Sequence, residues 1–286
     1  MGNRLTSRFI PGATAWAIAA VAGMFATSAA SAALIHQYTF SDGKGKESVG
    51  TADGTLEGGA TISNGQLHLS GSNTAYVSLP AGAIDISQYT AVSFSIWFTA
   101  PTTPAVNSQL FALGGTISGG TYNGAGYGYI IANPNTGGGT PNYRTAISAG
   151  PNSKPGWQYG ETSINGGLTS SIVGNGQHQL VVTDNNSTLS IYLDGALKAS
   201  SSIASTNLLS GLSDSLAYIG KSVYTGDPGF AGSINEFDIY NNALSTTDVA
   251  NAYAAGPVPV PTPEPATFGL LAIGAMGLLL LKRKTA

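Results

Sequence analysis

Two carboxylates stand one residue apart in Ser233-Ile234-Asn235-Glu236-Phe237-Asp238-Ile239-Tyr240. On a strand, that spacing puts Glu236 and Asp238 on one face about 7 Å apart, within reach of acid and base work on a shared substrate. The alternating apolar residues around them place the pair on a solvated outer face of the last strand. A hydrolytic serine would need a histidine base, and His36, His68 and His178 are the candidates. No Gly-x-Ser-x-Gly accompanies them, and each sits within or beside a strand, where core or sheet-surface roles account for a histidine. The glycine-rich runs do not end in Gly-Lys-Ser/Thr, so no phosphate loop is indicated. With no cysteine in the chain, thiol catalysis, disulfides and cysteine metal cages are excluded. The remaining chemistry lies in aromatic rings. Between Gly114 and Gly176, the least regular stretch, Tyr122, Tyr127, Tyr129, Tyr143, Trp157 and Tyr159 stand among glycines, prolines and asparagines. Flat rings suit sugar faces and amides suit hydroxyls, and Tyr122, Tyr127, Trp157 and Tyr159 are the carbohydrate-binding candidates.

Short strands must position these groups. Val92 to Thr99 alternates Val92, Phe94, Ile96 and Phe98 with smaller or polar neighbours, the period of a half-buried strand. Similar runs occur at 34–40, 66–69, 75–79, 109–113, 128–132, 179–183, 189–193 and 233–240, separated by turn residues. Asp194-Gly195 predicts a tight hairpin between 189–193 and Ala196-Leu197-Lys198. One helix is predicted: Ser245 and Asp248 form a capping box, Val249, Ala252 and Tyr253 a stripe, and Gly256 the stop before Pro257. Many strands, few helices and no internal repeat predict one all-β sandwich over residues 33–256.

Only 9% of residues are charged, and 39 glycines favour turns and strands. Between Ala33 and Gly256, 13 acidic side chains face 6 basic ones, a net charge of −7 that argues against nucleic acid as a partner. The ends read as addresses. Arg4 and Arg8, an apolar run from Ala13 to Phe25 and the small triplet Ala30-Ser31-Ala32 have the order of a secretory signal peptide over residues 1–32, cut between Ala32 and Ala33. At the other end a stiff proline-rich spacer, 257–262, precedes Pro263-Glu264-Pro265, an uncharged stretch from Ala266 to Leu281 and the basic stop Lys282-Arg283-Lys284. That stretch reads as a short transmembrane helix of about 24 Å, with its basic end in the cytoplasm and the body outside.

This tail resembles the PEP-CTERM sorting signal of Gram-negative bacteria that make exopolysaccharide. The resemblance implies an exosortase and the secretion machinery as partners, a membrane intermediate, and delivery to the envelope, surface or extracellular matrix. A second resemblance runs through the body. His36-Gln37-Tyr38-Thr39-Phe40, Phe94-Ser95-Ile96-Trp97-Phe98, Ile191-Tyr192-Leu193-Asp194-Gly195 and the segment from Gly232 to Ser245 are similar, in order, to the concanavalin A-like, laminin G-like superfamily. That implies a jelly roll of two antiparallel sheets, often used to bind carbohydrate or protein. Some members hydrolyse glycosides with Glu-x-Asp-x-x-Glu; here Asn241 replaces the last carboxylate, so no catalytic residue is expected. The superfamily often staples its chain ends with calcium, for which Asp42 and Asn235, read as inward-facing with Phe237 and Ile239, are weak candidates. The expectation is an exported, non-enzymatic adhesion or matrix-binding protein. A purely structural surface protein and a weakened glycoside hydrolase are the alternatives.

Overall fold

The alternating residues of Val92–Thr99 send Phe94, Ile96 and Phe98 into the core, where they are fully buried. The strand is not half-buried as its period suggested, because Ser93, Ser95 and Trp97 on the other face are buried too. The protein is described by a computed structural model over residues 31–116, 127–149, 160–174 and 176–259. In chain order the strands are β1 (Leu34–Tyr38), β2 (Thr55–Glu57), β3 (Thr61–Ser63), β4 (Gln66–Ser70), β5 (Tyr76–Ser78), β6 (Val92–Thr99), β7 (Phe111–Thr116) and β8 (Tyr127–Asn133). They continue as β9 (Asn142–Ser148), β10 (Thr162–Leu168), β11 (His178–Asp184), β12 (Thr188–Leu193), β13 (Ala196–Ser202), β14 (Leu216–Ile219) and β15 (Ala231–Tyr240). A single helical turn, α1 (Ala81–Ile84), precedes β6, and α2 (Thr246–Ala255) follows β15.

The first sheet has the order β13-β12-β11-β6-β15-β4-β3, with β1 also paired to β15. The second has the order β10-β9-β8-β7-β14-β5-β2. All of these pairs are antiparallel. In the first sheet Ile96 of β6 faces Leu180 of β11 on one side and Phe237 of β15 on the other, so one inward row crosses three strands. The second sheet meets it with Phe111, Leu113, Ile130, Ile147 and Ile219. Across the interface Phe111 lies 5.0 Å from the Phe94 ring and 5.3 Å from that of Phe237. Truncating such a buried ring typically costs about 3–5 kcal/mol, so this cluster holds the two layers together. The expected all-β jelly roll of two antiparallel sheets is therefore the architecture found.

Local signals were read correctly where they are self-contained. Asp194 and Gly195 both have positive φ, 52° and 76°, the pattern of a hairpin turn that suits the twist of its strands. Ser245 and Asp248 form both halves of the capping box, and Gly256 with φ 75° ends α2. This helix lies on the outer side of the first sheet. Its Val249 packs with Val181, Tyr192 and Leu244, and Tyr253 stacks on Trp97 at 5.7 Å. Among the described residues no helix is long and apolar enough to cross a membrane; the tail assigned that role lies outside them.

Two readings are corrected. The segment 114–176, read as the least regular, supplies β8, β9 and β10 among its described residues, one side of the second sheet. Thr-Ser-Ile-Asn-Gly-Gly-Leu in β10 hides its strand character because glycines stand where side chains would alternate, and Tyr143 of β9 fills the space over Gly166. Nor is Asn235 the inward neighbour of Phe237. The register slips between Ile234 and Glu236, so Asn235 is the extra residue of a β-bulge and Ile234 takes the inward place.

Candidate functional site: a cleft on the outer face of the second sheet

Side chains that alternate outward on the second sheet begin with an apolar patch, where Ala112 of β7, Tyr129 and Ile131 of β8 and Ala146 of β9 pack under Val223 and the half-exposed Tyr224. The segment after β14 is folded onto the sheet by its own hydrogen bonds. Ser222 donates its hydroxyl to Asp227 at 2.6 Å, the Tyr224 amide donates to Ser222 Oγ at 3.1 Å, and the Asp227 amide donates to the Tyr224 carbonyl at 3.2 Å. That turn forms one wall of a cleft of about 370 Å³. Asn133, Asn107, Gln109 and Thr136 close one end with amide and hydroxyl groups.

The opposite wall is charged. Arg144 of β9 meets Glu161 at 2.5 Å, and Arg144 Nε donates to Asn133 Oδ1 at 3.3 Å. The Tyr129 hydroxyl donates to the other Glu161 oxygen at 2.5 Å. Burial, and then the neighbouring Glu161 charge, hold the Tyr129 phenol well above its ordinary range. Tyr129 also meets Tyr224 edge to face at 5.9 Å, so one buried ring fixes both the carboxylate and the exposed ring. Burial raises the Asp227 carboxyl, with the Ser222 hydrogen bond and the Arg144 charge pulling it back. A preorganised aromatic surface, amides and fixed charges around one cavity are the means of orienting a polar ligand with apolar faces.

Most residues singled out from sequence lie elsewhere. Tyr122, Trp157 and Tyr159 fall outside the described residues, and Tyr127 opens β8, paired with Thr116. Tyr143 is a core residue whose hydroxyl donates to the Gly166 carbonyl at 2.8 Å. Tyr129 alone of that aromatic group reaches the cleft among the described residues. The missed signal was the outward row Tyr129, Ile131, Asn133, together with the rarity of charge: Arg144 on a strand is conspicuous in a chain with so few. Pro263, Glu264, Pro265, Lys282, Arg283 and Lys284 lie outside the described residues, as do the first 30 of the residues 1–32 read as a signal peptide. Ala32 packs beside the α2 cluster, and Ala33 donates its amide to Asn241 Oδ1 at 2.9 Å.

Glu236 and Asp238 do share an outer face, but it is not solvated. They are 5% and 4% exposed. Glu236 accepts the Val258 amide at 2.6 Å and the Gln37 amide at 3.4 Å, so the chain leaving α2 covers the pair. Burial and the Glu236 charge raise the Asp238 carboxyl well above the carboxylate range, and no substrate reaches either acid in this arrangement. The histidines tie loops to strands: His36 Nδ1 meets Glu47 at 2.5 Å, His178 Nδ1 meets Asp194 at 2.8 Å, and His68 Nε2 lies 3.4 Å from the Ser63 carbonyl. For calcium, Asp42 is exposed and accepts the Lys44 amide at 2.9 Å, closing its own turn, while the buried amide oxygen of Asn235 has no hydrogen-bond partner among the described residues. No group of three or more histidine or acidic side chains comes together among the described residues, so these two do not by themselves supply the six to eight oxygens that calcium takes.

The profile of the concanavalin A-like lectin/glucanases superfamily matches residues 70–250. The chain belongs to that superfamily. A second profile, the PEP-CTERM protein-sorting motif, matches residues 261–284, which implies exosortase processing and sorting to the cell envelope or surface. Comparison with curated proteins returns no match. Among solved structures the chain is similar to domain 4 of AbnA, a GH43 extracellular arabinanase from Geobacillus stearothermophilus, in complex with arabinotriose. The identity is 19% and the TM-score 0.57, covering 77% of this chain and 98% of that one. It is also similar to the CBM40 of a Ruminococcus gnavus IT-sialidase bound to α2,3 sialyllactose, at 13% identity and TM-score 0.50, covering 65% and 95%. The binding domain of botulinum neurotoxin serotype G matches at 17% identity and TM-score 0.54, covering 78% and 51%. At such identities the likeness shows a shared fold, one that in these neighbours carries binding domains.

Proposed function

We propose that this is an exported binding protein, tethered through a membrane intermediate by its tail and then delivered to the cell surface or matrix, where the cleft of the second sheet holds polysaccharide without cleaving it. The observation that carries this reading is the convergence in one cavity of the half-buried Tyr224 ring, the exposed Asn107 amide and the Arg144–Glu161 pair. Rings cover the apolar faces of a sugar, and fixed donors and acceptors meet its hydroxyls. The neighbours solved with arabinotriose and sialyllactose support the reading by showing sugars on related scaffolds. The burial of Glu236 and Asp238 supports binding over hydrolysis.

The test is a glycan array probed with the full chain in detergent micelles, beside Tyr224→Ala and a control, Leu197→Ala, on exposed β13. The expected result is retention of at least one polysaccharide, weakened about tenfold or more by Tyr224→Ala and unchanged in the control, with no reducing sugar released. Retention that ignores Tyr224, or sugar release, would overturn the reading.

A further inference from the structure

The cleft wall is unevenly charged. Arg144 is matched by Glu161, its ion-pair partner at 2.5 Å. Asp227, in the same lining, has no cation within ion-pairing distance among the described residues, although the Arg144 charge acts on it from farther off; its carboxylate accepts from the neutral Ser222 hydroxyl. Taken together the cleft lining holds one guanidinium, that of Arg144, and two carboxyl groups, those of Glu161 and Asp227. Beside Asp227 stands Tyr224, half-exposed and held edge-on by the buried Tyr129. A carboxylate next to an aromatic face is the chemistry that receives an organic ammonium, the ring through its negative face and the carboxylate through charge-assisted hydrogen bonds. The surrounding body is acidic as well, with 13 acidic side chains against 6 basic ones over residues 33–256, a field that draws cationic polymers and repels anionic ones.

We propose that the cleft selects an amino sugar, seating its ammonium between the Asp227 carboxylate and the face of Tyr224. This rests on the cleft being a saccharide site and names the class of saccharide. The exposed amide of Asn107 then meets ring hydroxyls, and the Arg144–Glu161 pair is left intact rather than broken by an anionic ligand. The other titratable groups facing Asp227 across the cleft are Arg144, Glu161, Tyr129 and Tyr224.

Three β-1,4-linked oligomers of equal length, differing only at carbon 2, separate the possibilities: glucosamine, N-acetylglucosamine and glucose. Titration calorimetry on the full chain in micelles at pH 6.5 and low salt should show the glucosamine oligomer bound about tenfold or more tighter than the other two. The preference should shrink as salt rises, because it is charge on charge. Asp227→Asn, which keeps an acceptor for Ser222, should abolish the preference, and Asp227→Glu should retain it. Thermal melts of both variants establish that they fold. Equal binding of the three oligomers, or a preference that survives Asp227→Asn, would overturn the amino-sugar inference and leave the saccharide reading standing. Failure of the glucosamine oligomer to bind overturns the inference as well, and the Tyr224→Ala array then decides the broader reading separately.

Discussion

Removing Glu161 tests whether the cleft wall is built as described. Its side chain is 11% exposed and that of Arg144 is 22%, so the pair lies between a surface ion pair, worth about 0–1 kcal/mol, and a buried one, whose breakage costs about 3–5 kcal/mol. Glu161→Ala strips Arg144 of its counter-charge and also deprives the buried Tyr129 hydroxyl of its acceptor at 2.5 Å. An intermediate cost of about 2–3 kcal/mol follows, which for a body of this size lowers the melting temperature by roughly 4–10 °C. Scanning calorimetry of the full chain in micelles at pH 7 measures it. The double variant Glu161→Leu/Arg144→Met should recover most of the loss, because replacing both charges with apolar side chains removes the uncompensated guanidinium. A melting shift below about 1 °C for Glu161→Ala, or a double variant no better than the single, would refute the claim that this pair is a desolvated structural wall.

Two further outcomes follow from buried groups. Asp184 is fully buried, accepts the Asn186 amide at 2.7 Å through one oxygen and has no hydrogen-bond partner for the other among the described residues. Burial lifts its carboxyl from 3.8 to about 6. Because the folded value is the higher one, its contribution to stability is full below about pH 4 and is lost as pH rises through 6, a swing of about 3 kcal/mol at most. Asp184→Asn should flatten that slope, and urea melts from pH 4 to 8 that run parallel to wild type would exclude the assignment. Gly195→Ala puts a Cβ 3.0 Å from Tyr253 at a φ of 76°, so it should cost about 1–2 kcal/mol and loosen α2 from Trp97. Unchanged melting and unchanged proteolysis of α2 would show that the turn and the helix are not in close contact.

How much was legible depended on how local the signal is. The bounds and inward row of Val92–Thr99 could be read because the alternation lies in its own eight letters, whereas the burial of its other face could not, because Asn242, Leu244 and Tyr253 return to cover it. The α2 cap was legible for the same reason, since Ser245 and Asp248 satisfy one another within a single turn. The alternation around Glu236 and Asp238 correctly put them on the outer face, but nothing near them announced that α2 and Val258 would return to cover that face. The bulge at Asn235 likewise came from pairing with β6, a partner more than a hundred residues away in sequence. The cleft was the least legible feature, because its walls come from β8, from β9 and Glu161, and from the turn after β14.

What the amino-acid sequence determined by itself is the class of fold and the address. Period-two burial demands sheets, one apolar face demands a second layer, and the PEP-CTERM tail needs no tertiary structure to be recognised. What the tertiary structure alone decided is which polar groups meet. Arg144 of β9 reaches Glu161, just before β10, although the register sets Arg144 opposite Asn165, and Tyr224 joins them because the Ser222–Asp227 turn folds back onto the sheet. Contacts of that kind are set by register and by the packing of distant segments, and a local pattern of residues carries no record of either.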